Sequence, residues 1–289
     1  MKTILLIFTI LLGIFLPVTQ SFSFLIKYLL MIMLFFSFLK MNVAVSDLTI
    51  NHFYILIANI SIPLLFYFIL YESGNSQLAQ IAFITGIAPT AIASPIIINL
   101  LNGKIEFTVI SILITNFIIA FLLPFLIPIM LNGSSSITFS DVLVPVAQIF
   151  LIPVFISFIL KKYFKKIKTN LEGFNKYVFY VLLLNINLGT AKASYYIREN
   201  LSFADSIIYK IALVSFLLCF IFFYLGKLLA PKNLAAEGSQ SLGQKNNGFT
   251  VWVALAFISP LAVLGPVFYI LFQNFYISWQ LHKINKRQE

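Results

Sequence analysis

Long apolar runs, separated by short polar stretches, follow one another along the chain. Ten such segments can be distinguished, and most reach the length of about 20 residues that a helix needs to cross a bilayer. The segments cover approximately residues 3–18, 23–40, 50–71, 77–100, 106–131, 143–163, 174–197, 206–230, 236–258 and 260–281. The apolar runs are continuous rather than alternating with a period of two, which argues against a membrane β-barrel. The pattern predicts an all-α polytopic membrane protein with about ten transmembrane helices, in a single membrane domain over residues 1–289.

Two of the ten segments contain residues that interrupt a helix. In the fourth, residues 85–95 read TGIAPTAIASP, and its two prolines remove backbone donors and obstruct helical turns. The ninth begins with a polar run, residues 237–248, and the eleven residues that follow, 249–259, cover only about 17 Å of a hydrocarbon core of roughly 30 Å. Part of the polar run must therefore lie at membrane depth, where irregular backbone is tolerated only inside protein or beside a wet cavity.

The two interrupted segments occupy corresponding positions, since each is the fourth in a group of five. Five is an odd number, so two consecutive groups of five spans have opposite orientations in the membrane. Interrupted helices at corresponding places in two such halves are typical of inverted-repeat transporters, whose binding site lies where the interruptions meet. We therefore expect one repeat over about residues 1–131 and a second over about 143–281, with helices 4 and 9 crossing near the midplane.

Composition and charge support this class and set the orientation. The chain is 61% hydrophobic and 10% charged, which excludes a soluble domain of this size. Its net charge of +10 does not indicate nucleic-acid binding, because the basic residues lie in short loops between apolar runs. If both termini are cytoplasmic, fourteen basic residues lie on the cytoplasmic side and four, Lys27, Lys192, Arg198 and Lys210, on the other. The fourteen are Lys2, Lys40, Lys104, Lys161, Lys162, Lys165, Lys166, Lys168, Lys176, Lys227, Lys232, Lys283, Lys286 and Arg287. We expect a multi-pass protein of the cell membrane with both termini cytoplasmic.

The first apolar segment has a second interpretation. Residues 1–20 contain Lys2, an apolar run and Pro17, an arrangement that also fits a secretory signal peptide. No clear small-x-small cleavage site follows, so we expect an uncleaved first span, with cleavage as the alternative.

The order of these motifs resembles the bile acid:sodium symporter family, within the wider group that includes arsenite permeases, over essentially the whole chain. Residues 88–95, APTAIASP, resemble the family's fourth-helix A/C-P-G-G-T-A-S-N stretch, and residues 102–104 resemble its G-D turn before helix five. Residues 241–248, SLGQKNNG, are similar to E-x-G-M-Q-N-S-G in helix nine, and residues 254–274 to the run A-L-A…S-P…W-H-N. The resemblance implies a sodium-coupled importer of organic anions with ten helices, divided into a panel and a core domain.

The positions that the resemblance assigns to sodium have changed in this chain. It implies two sodium ions held by the Glu and Gln of helix nine together with the Ser and Asn of helix four. Those positions read Ser241, Lys245, Ser94 and Pro95 here. A hard cation needs several oxygen ligands, preferably with a compensating charge, whereas this set has lost its carboxylate and gained an ammonium. The replacements argue against two intact sodium sites, and no other cofactor is expected.

Lys245 suggests a substitute for the ion. An ammonium built into the site can hold the crossing together as a bound cation does, and it can carry a proton, because burial favours the neutral amine. Glu237 lies eight residues earlier and is a candidate countercharge, although spacing alone does not pair the two. The alternative is that the interruption begins one turn later and leaves Lys245 in cytoplasmic water. We interpret the chain as a sodium-independent carrier, either proton-coupled or uniporting.

The other candidate site residues are polar side chains of segments four, five, nine and ten. The resemblance implies substrate contacts from Asn246 and Asn274, with Gln273 in place of the usual His. Further candidates are Asn247, Asn59 and Asn185. The alternative role for all these amides is to pack one helix against another. The ion and crossover region comprises Ser94, Thr90, Ser111, Thr115, Asn116, Ser241, Gln244 and Lys245. Ser111 and Thr115 share one helix face, so they either make ligand contacts or bond to carbonyls of their own helix.

The sequence favours a secondary transporter in the lipid bilayer, with a small organic anion as its substrate. An arsenite-type permease is one alternative, since residues 86–89 resemble its helix-four motif, but that family has Cys directly after the Pro where this chain has Thr90. An intramembrane enzyme is disfavoured because the sequence contains no H-E-x-x-H, no G-x-S-x-G and no acidic pair. A non-transporting membrane scaffold or sensor derived from a transporter is the remaining alternative, because loss of the ion carboxylate fits such a history.

Overall fold

The computed structural model describes residues 2–40, 48–131, 137–200 and 205–285. Regular structure in these ranges is helical, without strands, apart from one isolated antiparallel bridge between Thr90 and Lys245. The predicted all-α class is therefore confirmed. Lys286 and Arg287, which belong to the predicted cytoplasmic tail, lie outside the described residues.

Thirteen α-helices, labelled α1 to α13, and several short connecting helices make up the described chain. The first half contains α1 (Lys2–Phe15), a 3-10 helix (Pro17–Leu25) leading into α2 (Ile26–Lys40), α3 (Ile50–Glu72), α4 (Ser76–Gly86), α5 (Ser94–Leu100) and α6 (Ile105–Met130). The second half contains α7 (Phe139–Tyr163), α8 (Lys165–Glu172), α9 (Val178–Asn200), α10 (Ser206–Leu229), α11 (Ala235–Gly243), α12 (Asn247–Val253), a π-helix (Ala254–Ile258), a 3-10 helix (Pro260–Val263) and α13 (Leu264–Asn285). Each of the ten apolar segments coincides with one helix or with consecutive shorter helices.

Six helical stretches in the described residues are long and apolar enough to cross a membrane. They are Pro17–Leu39, Ile50–Glu72, Ile105–Met130, Phe139–Tyr163, Ser206–Leu229 and Pro260–Lys283. Large apolar side chains on these helices are exposed, for example Phe121 at 64% and Leu151 at 58%, as expected of a surface that faces lipid. Length and composition thus indicate a multi-pass membrane protein.

Helix termini follow local capping signals where the sequence supplies them. At the start of α7, the Thr138 backbone N–H donates to Asp141 Oδ2 at 2.8 Å, while the Asp141 backbone N–H donates to Thr138 Oγ1 at 3.4 Å. At the start of α3, His52 takes the same position relative to Thr49, whose backbone N–H donates to His52 Nδ1 at 3.0 Å. These reciprocal bonds satisfy backbone donors that a helix leaves unpaired at its amino end.

The chain divides into two compact units that are interleaved along the sequence. Unit 1 comprises Met1–Asn42, Ala120–Phe203 and Val251–Val263, and unit 2 comprises Val43–Ile119, Ala204–Thr250 and Leu264–Glu289. Unit 1 contains the first, second, sixth and seventh apolar segments, whereas unit 2 contains the third, fourth and eighth. The fifth, ninth and tenth segments are divided between the units. In three cases, the first and sixth, the second and seventh, and the third and eighth, segments five places apart in the sequence therefore belong to the same unit.

In unit 1, amide side chains of α9 bond to backbone carbonyls of the first two segments. Asn185 Nδ2 donates to the carbonyl of Ile26 at 3.1 Å, and Asn187 Nδ2 donates to the carbonyl of Thr9 at 3.2 Å. The candidate residue Asn185 thus has a packing role inside unit 1, whereas the other candidate site residues belong to unit 2.

In unit 2, α11 is buried from Glu237 to Gly243 and packs directly against α10. A Cβ atom on Gly238 would collide with Ala230 and with the carbonyl of Gly226, so the two helices approach through glycine. The Ser239 hydroxyl donates to the carbonyl of Phe223 on α10 at 2.9 Å. This helix corrects the expectation from the polar run, since residues 235–243 are helical and only 244–246 lie between helices. Small side chains allow this helix to be buried although it is not apolar.

Candidate functional site

The two interruptions meet and pair with each other in unit 2. The first, residues 87–93, separates α4 from α5, and the second, residues 244–246, separates α11 from α12. The Asn246 backbone N–H donates to the carbonyl of Pro89 at 2.8 Å, and the Ala91 backbone N–H donates to the carbonyl of Gln244 at 2.8 Å. Each interruption thereby supplies partners for backbone groups that the other has released from helical bonding. We call this paired region, residues 87–93 with 244–246, the crossing.

Thr90 connects the crossing to α6 and α11. Its hydroxyl donates to the carbonyl of Ser241 at 2.6 Å, and its backbone N–H donates to Thr115 Oγ1 at 3.0 Å. Asn116 Nδ2 in turn donates to the carbonyl of Thr90 at 3.3 Å. Thr90 is therefore buried and hydrogen-bonded to three neighbouring residues.

Lys245 lies at the centre of the crossing with 2% of its surface exposed. Its backbone N–H donates to Gln273 Oε1 of α13 at 2.9 Å. Its ammonium donates to Asn59 Oδ1 of α3 and lies 3.6 Å from the centre of the Phe222 ring of α10. An aromatic face attracts a cation, and this attraction strengthens when water is excluded. Lys245 is thus enclosed by three helices of unit 2 rather than held at an exposed helix end.

Lys245 has no carboxylate partner among the described residues, and the pairing with Glu237 considered from the sequence is not formed. Glu237 Oε1 instead accepts a hydrogen bond from the Lys104 backbone N–H at 2.7 Å, in the turn between α5 and α6. Gly103 permits this contact, because a Cβ atom there would lie 2.7 Å from the same oxygen. The seven residues between Glu237 and Lys245 include the end of α11, so the two side chains lie in different surroundings.

Two other titratable side chains interact close to Lys245. Cys219 of α10 is buried and interacts electrostatically with Lys245 and with Tyr269. The Tyr269 hydroxyl donates to the carbonyl of Gly243, the last residue of α11, at 2.7 Å. This bond ties α13 to the edge of the crossing.

The amides next to Lys245 form a connected group. Gln273 Oε1 accepts from Asn247 Nδ2 at 3.3 Å as well as from the Lys245 backbone, and Asn247 Nδ2 also donates to the carbonyl of Lys245 at 3.1 Å. Asn246 Oδ1 accepts from the Phe249 backbone N–H at 3.4 Å. The structure thus brings Gln273, Asn246 and Asn247 together with Lys245.

Other candidates bond mainly to nearby backbone. Ser111 donates to the carbonyl of Phe107 at 3.1 Å, and Thr115 donates to that of Ser111 at 2.7 Å, so both bond within their own helix. Thr115 is also the acceptor for Thr90. Ser94 donates to the carbonyl of Ala91 at 2.8 Å within the crossing, and Asn274 donates to that of Ile270 at 2.8 Å in α13.

Polar atoms without a hydrogen-bond partner are concentrated in unit 2. Of eight such buried side-chain atoms in the described residues, seven belong to this unit. They are Asn59 Nδ2, Asn116 Oδ1, Gln240 Oε1, Ser241 Oγ, Gln244 Oε1, Asn246 Nδ2 and Asn247 Oδ1. Each unpaired buried polar group costs about 1–3 kcal/mol. These atoms can form hydrogen bonds to a polar ligand that enters unit 2.

The residues at the crossing do not fit sodium. Five of the seven unpaired atoms of unit 2, on Asn116, Gln240, Ser241, Gln244 and Asn247, are oxygens. However, the carboxylate of α11, Glu237, bonds to the Lys104 backbone, and the ammonium of Lys245 adds a positive charge nearby. Nor do the described residues contain a group of three or more His, Cys, Asp or Glu side chains that could hold a metal ion.

Two contributors to the site were underrated or missed in the sequence. Asn59 ranked among the minor candidates, yet its amide is the hydrogen-bond partner of the Lys245 ammonium. No feature of the sequence indicated Phe222 as a site residue, because it is one of 32 phenylalanines in the chain. Both depend on contacts between distant parts of the sequence.

No protein-family model matches this chain, and no curated protein matches it either.

Proposed function

We propose that this chain is a secondary transporter that moves a small organic anion across the membrane by alternating access. Its proposed architecture is that of the bile acid:sodium symporter family, with ten transmembrane spans and cytoplasmic termini, but its transport is not coupled to sodium. The observation that carries the proposal is the crossing, in which two interrupted helices pair through Pro89, Ala91, Gln244 and Asn246. Interrupted helices that meet in this way form the binding sites of inverted-repeat transporters.

The distribution of segments between the units supports an inverted repeat. Each unit takes corresponding segments from both halves of the chain, as expected if residues 1–131 and 143–281 are two copies of one five-helix plan. Unit 1 would then be the panel domain that the resemblance implies, and unit 2 the core domain. In alternating access of this kind, one such body moves against a fixed site in the other.

The chemistry of unit 2 favours an anionic solute. Lys245 is the buried basic residue at the crossing, and the amide donors Asn59 Nδ2 and Asn246 Nδ2 are unpaired. An anion gains from both kinds of donor, whereas a cation would be repelled by the ammonium. The same ammonium stands at a position that the resemblance assigns to a sodium ligand, which supports transport without sodium.

Flux through purified protein in liposomes tests the proposal. We expect wild-type protein to exchange at least one of labelled pyruvate, benzoate and taurocholate, and Asn246→Ala to abolish that exchange. This variant keeps the backbone bond to Pro89 and removes only the side chain. Asn75→Ala is the matched control, because Asn75 bonds within an exposed turn between α3 and α4.

Two results would contradict the proposal. Exchange that persists in Asn246→Ala at the wild-type rate would show that the solute does not depend on the crossing. Wild-type protein that exchanges none of the three anions would favour the scaffold or sensor alternative.

Arsenite is a useful fourth solute, and we expect no exchange of it because Thr90 supplies no thiolate.

A further inference from the structure

We propose that Lys245 and Asn59 together bind the carboxylate of the transported solute, so that the solute itself is the countercharge of Lys245. This inference rests on the transport function proposed above and names the group that recognises its substrate. It follows from the unpaired charge of Lys245, the unpaired donor of Asn59 and the closeness of the two groups.

The charge of Lys245 is not compensated within the described part of the protein. Lys245 interacts with Cys219 of α10, and Cys219 in turn interacts with Tyr269 of α13; neither is a carboxylic acid. Glu237 is engaged by the Lys104 backbone. A buried ion without a partner is costly, and the aromatic face of Phe222 offsets only part of this cost. An anion that enters the site therefore forms an ion pair with this ammonium.

The donors left free by the structure match the two oxygens of a carboxylate. A lysine ammonium has three N–H donors, and here one of them is used by Asn59 Oδ1 and the Phe222 ring covers one side. The Nδ2 atom of the same Asn59 amide is buried and unpaired. Because Oδ1 and Nδ2 belong to one planar amide, this second donor stands beside the ammonium. Charge-assisted bonds of this kind are roughly twice as strong as bonds between neutral groups.

Lys245 and Asn59 together distinguish between solutes of different net charge. A monocarboxylate neutralises the single ammonium, whereas a neutral solute leaves the charge uncompensated and a cation adds to it. Lys245 and Asn59 are each 2% exposed, so the solute reaches them only after a change of conformation. Alternating access provides such a change, which is why the inference depends on the proposed function.

Replacement of Lys245 by methionine is the first test. Lys245→Met keeps most of the side-chain volume and removes a charge from a buried position, so the protein should melt at the same or a higher temperature. Equilibrium binding of labelled pyruvate and benzoate to purified protein in detergent is then measured. We expect wild-type protein to bind at least one of these probes and Lys245→Met to bind it at least about tenfold more weakly.

Asn59→Asp is a second test that does not rely on removing a side chain. The new carboxylate takes the place of an amide that already contacts the ammonium, so it should form an internal ion pair with Lys245. We expect a higher melting temperature together with loss of benzoate and pyruvate binding, because the internal carboxylate competes with the solute. Asn75→Asp, in the exposed turn, is the control and should change neither property.

The inference is overturned if wild-type protein binds neither probe at millimolar concentration, or if both variants bind as wild type does. Failure of the transport function gives a different result. Protein that shows the expected pattern of binding but moves no label across liposomes contradicts transport alone. Label that both variants transport at the wild-type rate contradicts the role of Lys245 and Asn59 alone.

Discussion

Thr90, which the sequence indicates as a candidate of the ion and crossover region, hydrogen-bonds three neighbours in the structure. Its hydroxyl satisfies the carbonyl of Ser241 near the end of α11, and its backbone bonds to Thr115 and Asn116 of α6. These contacts hold the first interruption in the shape that lets it pair with the second. A buried carbonyl that loses its donor is left unpaired, at a cost of about 1–3 kcal/mol.

We therefore predict that Thr90→Val destabilises the protein, whereas Thr90→Ser, which keeps the hydroxyl, has a much smaller effect. Melting temperature in detergent measures the difference. Thr169→Val is the control, since the hydroxyl of Thr169 bonds to the carbonyl of Lys165 on an exposed helix and water can replace it. Equal melting temperatures for Thr90→Val and wild type would contradict the role assigned to Thr90.

At this scale the sequence indicated the right neighbourhood but not the contacts. Lys245, Asn246 and Gln273 were candidates from the sequence, and the structure brings them together. The partner of the Lys245 ammonium, Asn59, lies 186 residues away in the chain, and no local pattern predicts a contact over that distance. The role of Phe222 could not be predicted from the sequence either, because an apolar run does not distinguish a phenylalanine that faces a cation from one that faces lipid.

Among the elements, the pair formed by α10 and α11 does most to position the crossing. Gly226 of α10 faces Gly238 of α11, and Gly243 at the end of α11 lies against the ring of Phe223. Small residues of this kind let helices pack closely within a membrane. The polar helix α11 can therefore be buried, and its end is set where residues 244–246 meet the first interruption.

We predict that Gly238→Ala destabilises the protein by about 1–3 kcal/mol, because the added methyl group forces the two backbones apart. The crossing should move with α11, so anion exchange should fall as well. Gly173→Ala is the matched control, since a Cβ atom at Gly173 meets no atom within 4 Å. Melting temperature and exchange measured on the same preparations check both effects, and a neutral Gly238→Ala would contradict close packing.

The interruptions themselves were predictable as elements, but their extent was not. The prolines of the fourth segment indicated the irregular residues 87–93 correctly. In the ninth segment, polarity suggested an irregular stretch, yet α11 forms because glycine and alanine are small enough for a close helix contact and a serine hydroxyl can bond to the neighbouring helix. The bond from Ser239 to the carbonyl of Phe223 is one such case.

For the molecule as a whole, the sequence predicted the helical membrane class and the positions of its segments well. Continuous apolar runs determine both, because a helix must satisfy its own backbone groups in lipid. The division into two interleaved units was not predictable from hydropathy, since it depends on which helices pack together. The α9 helix, Val178–Asn200, shows a related limit, because Asn185, Asn187 and Lys192 make it less apolar than the six clearest spans.

We propose that an anion is transported through the crossing and that this transport is not coupled to sodium. Initial uptake of whichever probe anion the wild type exchanges, into liposomes with either sodium or choline outside, tests this claim most directly. We predict the same rate with both cations, and a large loss of uptake in Lys245→Gln under either condition. Uptake that rises steeply with sodium and survives in Lys245→Gln would contradict it.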